Sequence, residues 1–437
     1  MLDLPDEINY TLDRLYDSGY EAYLVGGAVR DMLMHKPAHD YDITTSAIPS
    51  EVERVFSSHR VVETGIRHGT VTVIVNGTPV EITSFRRESA YSDGRHPDSV
   101  TFSKDVRDDL CRRDLTINAV AYSKQKGYVD LFGGISDIEN RIIRCVGSPD
   151  ERFAEDHLRL LRAMRFSSVL GFTIEEQTKQ SIHRNKKYIQ TVSYERVFSE
   201  LCKLLCGENA KQILLEYSDV IFLLIPELAV QHGCEREYGD GGYDLYTHTV
   251  NCISYTEPLL HLRLAALLHD TVKPSGANAA DTVRIRDTVA ANVLTRLRCS
   301  AALTDTVCRI IRYCDADING IDKVGVKRFA SKAGIKTAKD VIKLKRADIL
   351  SEDPRYYSRL NDLNTALDVI CEAEENGVAL NVRDLAVNGG DIISLGVKRG
   401  PLVGELLRYA LDGVISGEVC NERGPLLEFI AAHIKVK

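Results

Sequence analysis

The hydrophobic pattern of this 437-residue chain changes once, near Arg144, and that change limits the possible folds more than any other feature. Before Arg144, short β-prone runs alternate with turns. Thr70–Val75 is β-branched throughout, and Gly77-Thr78 reads as a turn into Val80–Phe85. After Arg144, apolar residues recur with helical spacing almost to the end of the chain. The sequence therefore predicts an α+β fold, with a small mixed β-sheet in a head and an elongated all-α remainder.

Segments after Arg144 with the 3.6-residue spacing of amphipathic helices are Leu158–Phe166, Arg196–Leu205, Leu259–Leu268, Val289–Leu297 and Leu402–Ile415. Stretches that read as connections are Val272–Ala280, Ala316–Gly320 and Asn388–Gly390. In the β-rich part, the polar and turn-forming stretch Ser89–Asp98 is predicted to be a mobile loop. A chain of this length is too long for one core, and about two to four domains are expected.

The distribution of apolar residues and cysteines argues against a membrane or secreted protein. The longest apolar runs, such as Leu264–Leu268, fall far short of the ~18 residues that a membrane span needs. The N-terminus has no cationic region followed by an apolar one, so we expect no signal peptide. Eleven scattered cysteines without CxxC or zinc-finger spacing fit reduced thiols in a cytoplasmic protein. Cys202 and Cys206, one helical turn apart, fit core positions.

Positive charge is concentrated in two stretches of a chain whose net charge is −8. From Thr178 to Cys206 there are six Lys or Arg against two Glu, and from Lys323 to Arg346 nine against one Asp. Either stretch alone is equally well explained as a solvated helix face. Two of them in an acidic chain favour a local surface that follows nucleic-acid phosphates.

The first candidate for a chemical role is the Gly26-Gly27 pair, between a predicted strand and a helix at Ala28–Leu33. Backbone amides at a helix start bind phosphate, and glycine allows the phosphate to approach closely. Arg30, about one turn into the helix, offers a further donor. Alone this signal is weak, because most such pairs are only turns, and the chain contains no Walker A loop.

The second candidate is Asp40-Tyr41-Asp42, at the start of a strand predicted over Tyr41–Thr45. On a strand, Asp40 and Asp42 would share a face, with Tyr41 on the other. Two adjacent carboxylates suit Mg²⁺, and two such ions can activate a 3′-hydroxyl and steady a leaving pyrophosphate. Glu81 is a candidate third carboxylate. The alternative for an isolated DxD pattern is a solvated acidic turn.

Two arginine-rich segments complete the set of candidates. Arg112-Arg113-Asp114 could grip a triphosphate and accept from a ribose hydroxyl, or could be a surface ion pair. A helix predicted over Glu155–Phe166 carries three arginines at a spacing of three, Arg159, Arg162 and Arg165, after Asp156. Its helical phase places Arg165 among Leu158 and Leu161, so Arg165 is predicted to be buried. The alternative is an ordinary amphipathic helix with an Asp156–Arg159 ion pair.

In order along the chain, these segments resemble the motifs of class II tRNA nucleotidyltransferases, which belong with bacterial poly(A) polymerases to the polymerase-β superfamily. The matching runs are YLVGGAVRD, DYDI, RRDLTINA, VDLFGGISDIENRIIRCVG, RFAEDHLRLLRAMRF and SYERVFSEL. The segment that begins at Asn388 resembles the C-terminal tail domain of the family. Each run is weak alone, but the ordered set is specific and the resemblance covers nearly the whole chain. His157 departs from the pattern, which has proline there.

The resemblance implies a role for each matching residue. The metal-binding carboxylates would be Asp40 and Asp42. The nucleotide-binding residues would be Gly27, Arg30, Arg113, Asp156, Arg159, Arg162 and Arg165, the last four on the helix that selects the incoming base. The implied domains are a head at 1–145, a neck at 146–206, a body at 207–335 and a tRNA-binding tail at 336–437.

The activity implied by the resemblance is addition of CCA to the 3′ end of tRNA from CTP and ATP, with two Mg²⁺ ions and without a nucleic-acid template. The expected partner is the 3′ end and acceptor arm of tRNA, with no membrane and no obligate protein partner. A bacterial poly(A) polymerase is an alternative, although it would be expected to carry a long basic C-terminal extension. An A-adding specialist is a second alternative. A CC-adding specialist is less favoured, because Arg86–Pro97 retains the head loop.

The body carries a partial pattern of another class. His248, and His269 with Asp270, resemble the first motifs of an HD phosphohydrolase domain. A histidine expected within Asp281–Leu294 is missing, and Asp315 is the candidate for a late carboxylate. The sequence therefore predicts a degenerate HD-like body, and an HD-type metal phosphohydrolase is the alternative function from another class.

Overall fold

A computed structural model describes residues 4–38, 40–66, 69–89, 91, 93–95, 97–234, 244–271, 279–318 and 320–436. It divides into two compact units, Met1–Leu224 and Ile225–Lys437. The first unit contains all the described strands, and the second is built from helices. The predicted α+β class, with a mixed sheet first and helices after it, is confirmed.

The described strands of the first unit are β1 Ala22–Val25, β2 Asp42–Thr45, β3 Arg60–Gly65, β4 Thr70–Val75, β5 Thr78–Ser84, β6 Arg86–Glu88, β7 Val100–Phe102, β8 Val120–Ser123, β9 Gly127–Asp130, β10 Ile142–Ile143 and β11 Thr173–Ile174. Four of these strands, β1, β2, β4 and β5, match the predicted β-prone runs, and the other strands were not predicted. The main sheet has the order β3-β4-β5-β2-β1-β8-β9. It is mixed, because β2 and β5 are parallel whereas the other neighbours are antiparallel.

The β4–β5 hairpin turns one residue earlier than the sequence predicts. Asn76 and Gly77 both have positive φ, 49° and 87°, which is the backbone twist that two-residue hairpins favour. Thr78 therefore already belongs to β5 and pairs with Val75. Apolar residues of β4 and β5 then face the core of the sheet, where Val73 and Val80 are fully buried.

Helices of the first unit are α1 Asp6–Asp17, α2 Gly27–Leu33, α3 Pro49–Val55, α4 Val106–Cys111, α5 Gly134–Glu139, α6 Pro149–Glu155, α7 Leu158–Leu170, α8 Glu176–Asn185, α9 Tyr194–Leu205, α10 Ala210–Glu216 and α11 Ser218–Leu224. The segment after Arg144 is not purely helical, because β11 pairs in parallel with β10. The short strands β6 and β7 flank the predicted loop at Ser89–Asp98, of which residues 90, 92 and 96 lie outside the described residues.

Helices of the second unit are α12 Leu245–Tyr255, α13 Leu260–Leu268, α14 Ala279–Arg296, α15 Ala301–Tyr313, α16 Lys323–Ala333, α17 Ile335–Leu350, α18 Arg359–Glu375, α19 Gly389–Ser394, α20 Pro401–Ser416 and α21 Arg423–Val436. The five segments predicted from their helical spacing lie in α7, α9, α13, α14 and α20. Of the predicted connection Val272–Ala280, residues 272–278 lie outside the described residues, and α14 begins at Ala279.

The predictions of reduced cysteines and of no membrane-spanning segment agree with the structure in the following respects. All eleven cysteines are free thiols, as their scattered spacing indicates. Within the described ranges, no helix is both long enough and apolar enough to cross a membrane.

Candidate active site

Three predicted carboxylates line one cleft at the edge of β2 in the first unit. Asp42 is the first residue of β2 and lies in register with Glu81 on the parallel strand β5. Asp40, Asp42 and Glu81 line the same cavity of about 770 Å³. The strand begins at Asp42 and not at Tyr41 as predicted, so the chain before β2, rather than strand alternation, brings Asp40 to the cleft. Tyr41 packs in part against the core of the sheet but also lines this cavity, so the prediction that it lies on the face opposite the carboxylates is wrong.

The chemistry of this cleft suits a hard divalent cation. Its acidic side chains offer only oxygen atoms, which are the ligands that Mg²⁺ prefers. None of the three carboxylates forms an ion pair with another described residue. Desolvation raises the pKa of Asp42, the Arg113 guanidinium lowers it and the Asp40 carboxylate raises it, with a net rise. A cation between the carboxylates would relieve this repulsion.

Gly26 places the candidate nucleotide-binding arginine beside the acidic cleft. Its φ of +74° favours glycine, because L side chains rarely adopt this conformation. A Cβ atom at Gly26 would lie 3.4 Å from Arg113 Nη1 and 3.6 Å from Asp42 Oδ2. The side chains of Arg113 and Asp42 therefore both lie beside the turn between β1 and α2. At the next residue, Gly27, a Cβ atom would lie 3.6 Å from Arg30 Nη2.

Asp109, which sequence reasoning missed, holds the two arginines of the RRD motif. Its carboxylate is fully buried and lies 2.6 Å from Arg112 Nη2 and 3.1 Å from Arg113 Nη2. Burial raises the pKa of Asp109, but Arg113 and Arg112 hold it below its ordinary value. The signal in the sequence was its spacing, three and four residues before the arginines on a helix.

Arg30 is more enclosed than the sequence suggests. Its side chain donates to Asn118 Oδ1 at 2.9 Å and to Asp31 Oδ1 at 2.7 and 2.9 Å. Its guanidinium also lies 5.1 Å from the centre of the Phe166 ring on α7. Arg30 thus links the start of α2 to the arginine-bearing helix.

The predicted continuous helix over Glu155–Phe166 is wrong, because the helix is interrupted at Asp156. Helix α6 ends at Glu155, Asp156 has extended backbone angles (φ −135°, ψ 106°), and α7 begins at Leu158. The Asp156 side chain accepts from the Leu158 N–H at 3.1 Å. Such a local bond competes with helical hydrogen bonding and explains the break.

The alternative ion pair between Asp156 and Arg159 does not form. Asp156 Oδ2 lies 2.8 Å from Arg196 Nη2, whereas Arg159 pairs with Glu155 at 2.6 Å and donates to the Arg112 carbonyl at 3.0 Å. Arg196 belongs to the SYERVFSEL run, but sequence reasoning assigned it no role. Asp156 and Arg159 are therefore held separately, each by a partner outside α7.

Arg162 and Arg165 are fixed by two buried acids. Arg162 donates to Asp114 at 2.6 and 2.7 Å, so Asp114 forms a buried pair rather than a surface one. Burial raises the pKa of Asp114, but Arg162 and then Arg159 hold it far below its ordinary value. Arg165 pairs with Glu200 at 2.8 Å, and its side chain is only 11% exposed, which confirms its predicted burial.

Three arginine guanidinium groups lie close to the aromatic ring of Phe166. Guanidinium carbons of Arg165, Arg162 and Arg30 lie 3.5, 5.5 and 5.1 Å from the centre of its ring. Cation–π contacts of this kind favour a guanidinium over the ring face. Sequence reasoning named the arginines but not the aromatic ring that orders them.

Comparison with known proteins places this arrangement in a family. The model of the poly(A) polymerase head domain matches residues 22–144, that of the RNA and SrmB binding site of polymerase A matches 171–231, and that of tRNA nucleotidyltransferase domain 2 matches 277–430. The CCA-adding enzyme of Lactobacillus delbrueckii subsp. bulgaricus is 35% identical over 96% of each chain. That of Ligilactobacillus salivarius is 32% identical over 98% of this chain and 96% of its own.

The chain belongs to the CCA-adding enzymes. Among solved structures, the CCA-adding enzyme of Bacillus stearothermophilus in complex with CTP is 28% identical, with a TM-score of 0.74 over 98% of this chain and 97% of the other. The resemblance drawn from the ordered motifs is therefore confirmed, together with nucleotidyltransferase activity on tRNA.

This member of the CCA-adding family also brings the HD-like residues together, with one change. Ligand atoms of His248, His269, Asp270 and Asp348 all lie within 4.8 Å of one another. The late carboxylate is thus Asp348 and not Asp315, because Arg286 binds Asp315 at 2.8 Å. Burial lowers the pKa of His269, but Asp270 and Asp348 raise it, to about 9.

The two basic stretches of this CCA-adding enzyme are partly neutralised. In the first, Lys179 pairs with Glu216, Arg184 with Asp150 and Lys186 with Asp219. In the second, Arg328, Lys339 and Lys343 pair with Asp412, Glu374 and Glu257. Lys323, Lys332 and Lys336 are exposed and form no ion pair with a described residue. The second stretch therefore keeps more accessible positive charge.

Proposed function

We propose that this chain builds the CCA end of tRNA by transferring nucleotidyl groups from CTP and ATP, with Asp40 and Asp42 holding two Mg²⁺ ions. The observation that carries the metal assignment is the shared cleft of these carboxylates, in which Asp42 lies in register with Glu81. The ions would activate the tRNA 3′-hydroxyl and stabilise the leaving pyrophosphate. Glu81 is the third carboxylate available to them.

The nucleotide would bind between the cleft and the neck helix. Arg113, which reaches Gly26 and Asp42, is placed to hold the triphosphate beside the carboxylates. Gly27 leaves room for a phosphate next to Arg30. Arg162 and Arg165, fixed by Asp114 and Glu200, supply further positive charge and the rigid support of the base-reading residues. We place the head at 1–145, the neck at 146–206, the body at 207–335 and the tail at 336–437.

Base selection without a nucleic-acid template requires protein groups that read the Watson–Crick edge. Cytosine and adenine both present an exocyclic amine beside a ring-nitrogen acceptor. Asp156 would accept from the amine, and Arg159 would donate to the ring nitrogen. Uracil and guanine present a carbonyl and an N–H in those places, so both contacts would be lost. Sites that leave buried polar groups unpaired discriminate by as much as about 10⁴–10⁵-fold.

The test is addition to a tRNA that ends at its discriminator base, with CTP, ATP or both, followed by sequencing of the products. We expect C and CC with CTP alone, and CCA with both nucleotides, after which addition stops. A long A tail would identify a poly(A) polymerase, and addition of A only to a tRNA that already ends in CC would identify an A-adding specialist.

The metal assignment is tested by Asp42→Ala, with Asp13→Ala as the matched control. Asp13 is also a carboxylate of the first unit, but it pairs with Lys124 on the surface. We expect Asp42→Ala to abolish incorporation of both nucleotides while tRNA affinity changes only a few-fold, because the carboxylates bind ions rather than RNA. Near-normal turnover of Asp42→Ala would show that the carboxylates of this cleft do not hold the catalytic metal ions.

A further inference from the structure

The backbone between α6 and α7 is not held by helical hydrogen bonds, because the helix is interrupted at Asp156. The N–H groups of His157 and Leu158 donate to the Gly94 carbonyl at 3.2 Å and to the Asp156 side chain at 3.1 Å, and not to carbonyls of α6. The backbone therefore constrains the position of Asp156 relative to Arg159 less than an unbroken helix would. Side-chain contacts that span the interruption are then needed to fix both residues.

Glu155, the last residue of α6, connects the two helices through both of its carboxylate oxygens. Oε1 lies 2.5 Å from Nη2 of Arg152 on α6, and Oε2 lies 2.6 Å from Nη1 of Arg159 on α7. The side chains of Arg152 and Arg159 are 13% and 12% exposed, so solvent screens these two ion pairs only in part. We call Arg152, Glu155 and Arg159 the bridging triad.

Each arginine of the bridging triad also uses its other Nη atom to bind the end of α4. Arg152 Nη1 donates to the Cys111 carbonyl and Arg159 Nη2 donates to the Arg112 carbonyl, each at 3.0 Å. Carbonyls at the end of a helix have no partner within the helix and carry a partial negative charge, so guanidinium donors suit them. The bridging triad therefore joins three helices, α4, α6 and α7, at one point.

Helix α4 links the bridging triad to the acidic cleft. Its residue Asp109 lies 3.1 Å from Arg113 Nη2, while Nη1 of Arg113 and Oδ2 of Asp42 both lie beside the turn between β1 and α2. In the proposed function Arg113 holds the triphosphate, whereas Asp156 and Arg159 read the base. The bridging triad is therefore placed to fix the distance between the groups that bind the two ends of the nucleotide.

We propose that Arg152 is a positioning residue for nucleotide selection, which acts through Glu155 and the end of α4 to keep Asp156 and Arg159 in place. The inference rests on the proposed function, in which these last two residues read the base. A planar guanidinium suits this role because it binds a carboxylate and a carbonyl at once in a fixed geometry, whereas a lysine ammonium is a single charge on a flexible chain. Among the described residues nothing binds the buried Nε of Arg152, so its two Nη contacts fix its orientation.

The test is Arg152→Gln, which removes the guanidinium and leaves Asp156, Arg159 and the acidic cleft unchanged in sequence. The value of kcat/KM is measured for the four nucleoside triphosphates on tRNA that lacks its last residues, well below the unfolding midpoint of the variant. We expect the CTP:UTP and ATP:GTP ratios to fall by about 2- to 30-fold, the range typical of residues that affect a site without touching its ligand. A residue that only stabilises the fold would lower the unfolding midpoint and leave these ratios unchanged.

Three further variants separate positioning from general effects. Arg152→Lys keeps the charge but not the planar fork, so its ratios should lie between those of wild type and Arg152→Gln. Combining Arg152→Gln with Glu155→Gln should lower the ratios no further than the more severe single change, because both break the same triad. Arg184→Gln is the matched control, because Arg184 also binds an acid of α6, Asp150, but is 56% exposed and lies outside the triad. Its ratios should equal those of wild type.

Wild-type ratios in folded Arg152→Gln would overturn the proposal, and Asp156→Asn distinguishes this result from failure of the proposed function. If Asp156→Asn lowers the ratios and Arg152→Gln does not, Asp156 reads the base and Arg152 does not position it. If neither variant lowers them, base reading by Asp156 is wrong, and so is the role of Arg152. If Arg152→Gln does not fold, Arg152→Lys takes its place, and wild-type ratios in that variant would equally overturn the proposal.

Discussion

The contacts of Asp156 allow the effect of Asp156→Asn on base selection to be worked out. One carboxylate oxygen accepts from the Leu158 N–H and the other binds Arg196, so two of its roughly four acceptor positions remain for a base. The amide of the variant keeps one oxygen but can present N–H groups, which suit the carbonyl of uracil or guanine. Loss of one hydrogen bond to a charged group costs about 1.5–3 kcal/mol, which is roughly 10- to 150-fold in relative rate.

The assay is single-nucleotide incorporation into tRNA that lacks its last residues, measured as kcat/KM for each of the four nucleoside triphosphates. We expect the CTP:UTP and ATP:GTP ratios of Asp156→Asn to fall by that factor, beyond any common loss of rate. Asp150→Asn is the control, because Asp150 is an exposed acid on the preceding helix α6 that binds Arg184. If Asp156→Asn keeps wild-type ratios and only slows, the carboxylate does not read the base.

Three further perturbations test other parts of the structure. Asp114→Asn should destabilise the chain by about 3 kcal/mol in denaturant unfolding, at the low end for a buried pair because Arg162 is 32% exposed. Because the folded-state pKa of Asp114 is depressed, wild type should lose this stability as pH falls below about 4, and the variant should not. His157→Pro should unfold at a denaturant midpoint similar to that of wild type, because the φ of −57° at His157 suits proline. The variant loses the hydrogen bond from the His157 N–H to the Gly94 carbonyl, and a large drop in the midpoint would contradict the expectation. Reversing the charge of the exposed residues Lys323, Lys332 and Lys336 should weaken tRNA binding and lower its log–log salt slope by about 0.7–0.9 per phosphate contact. Unchanged binding would show that the stretch is only a solvated helix face.

Periodicity predicted the fold class, five longer helices and the β4–β5 hairpin, because amphipathic helices and a β-branched hairpin repeat their signal over many residues. Of the eleven described strands it predicted β1, β2, β4 and β5 and missed the others, of which β10 and β11 have only two residues and are too short to show any period. It also carried the helix through Asp156, because helical spacing continues across the break. The competing bond from that side chain to the Leu158 N–H acts over two residues, and a periodic pattern does not detect it.

Sequence motifs pointed to candidate site residues but not to the partners that hold them. The cleft and the arginines of α7 were predicted by position, whereas Arg196 and Asp109 were not. Asp348 was missed for a different reason: it lies 100 residues from His248 in the chain and meets it only through the packing of α12 against α17. Pairing across such distances depends on tertiary structure and leaves no local pattern.

The three consecutive residues of the RRD tripeptide contact three different parts of the first unit. Arg112 reaches Glu88 beside the head loop, Arg113 reaches the acidic cleft and Asp114 reaches the neck helix. A substitution at one of the three residues that shifts the backbone also moves the other two. The free-energy changes of substitutions at two of these residues should therefore be strongly non-additive in double-mutant cycles, although their contacts are far apart. Compensation for a change at Asp114 would have to arise on α7, more than forty residues away in sequence. This short segment should therefore be among the least freely varied in a mutational library of the first unit.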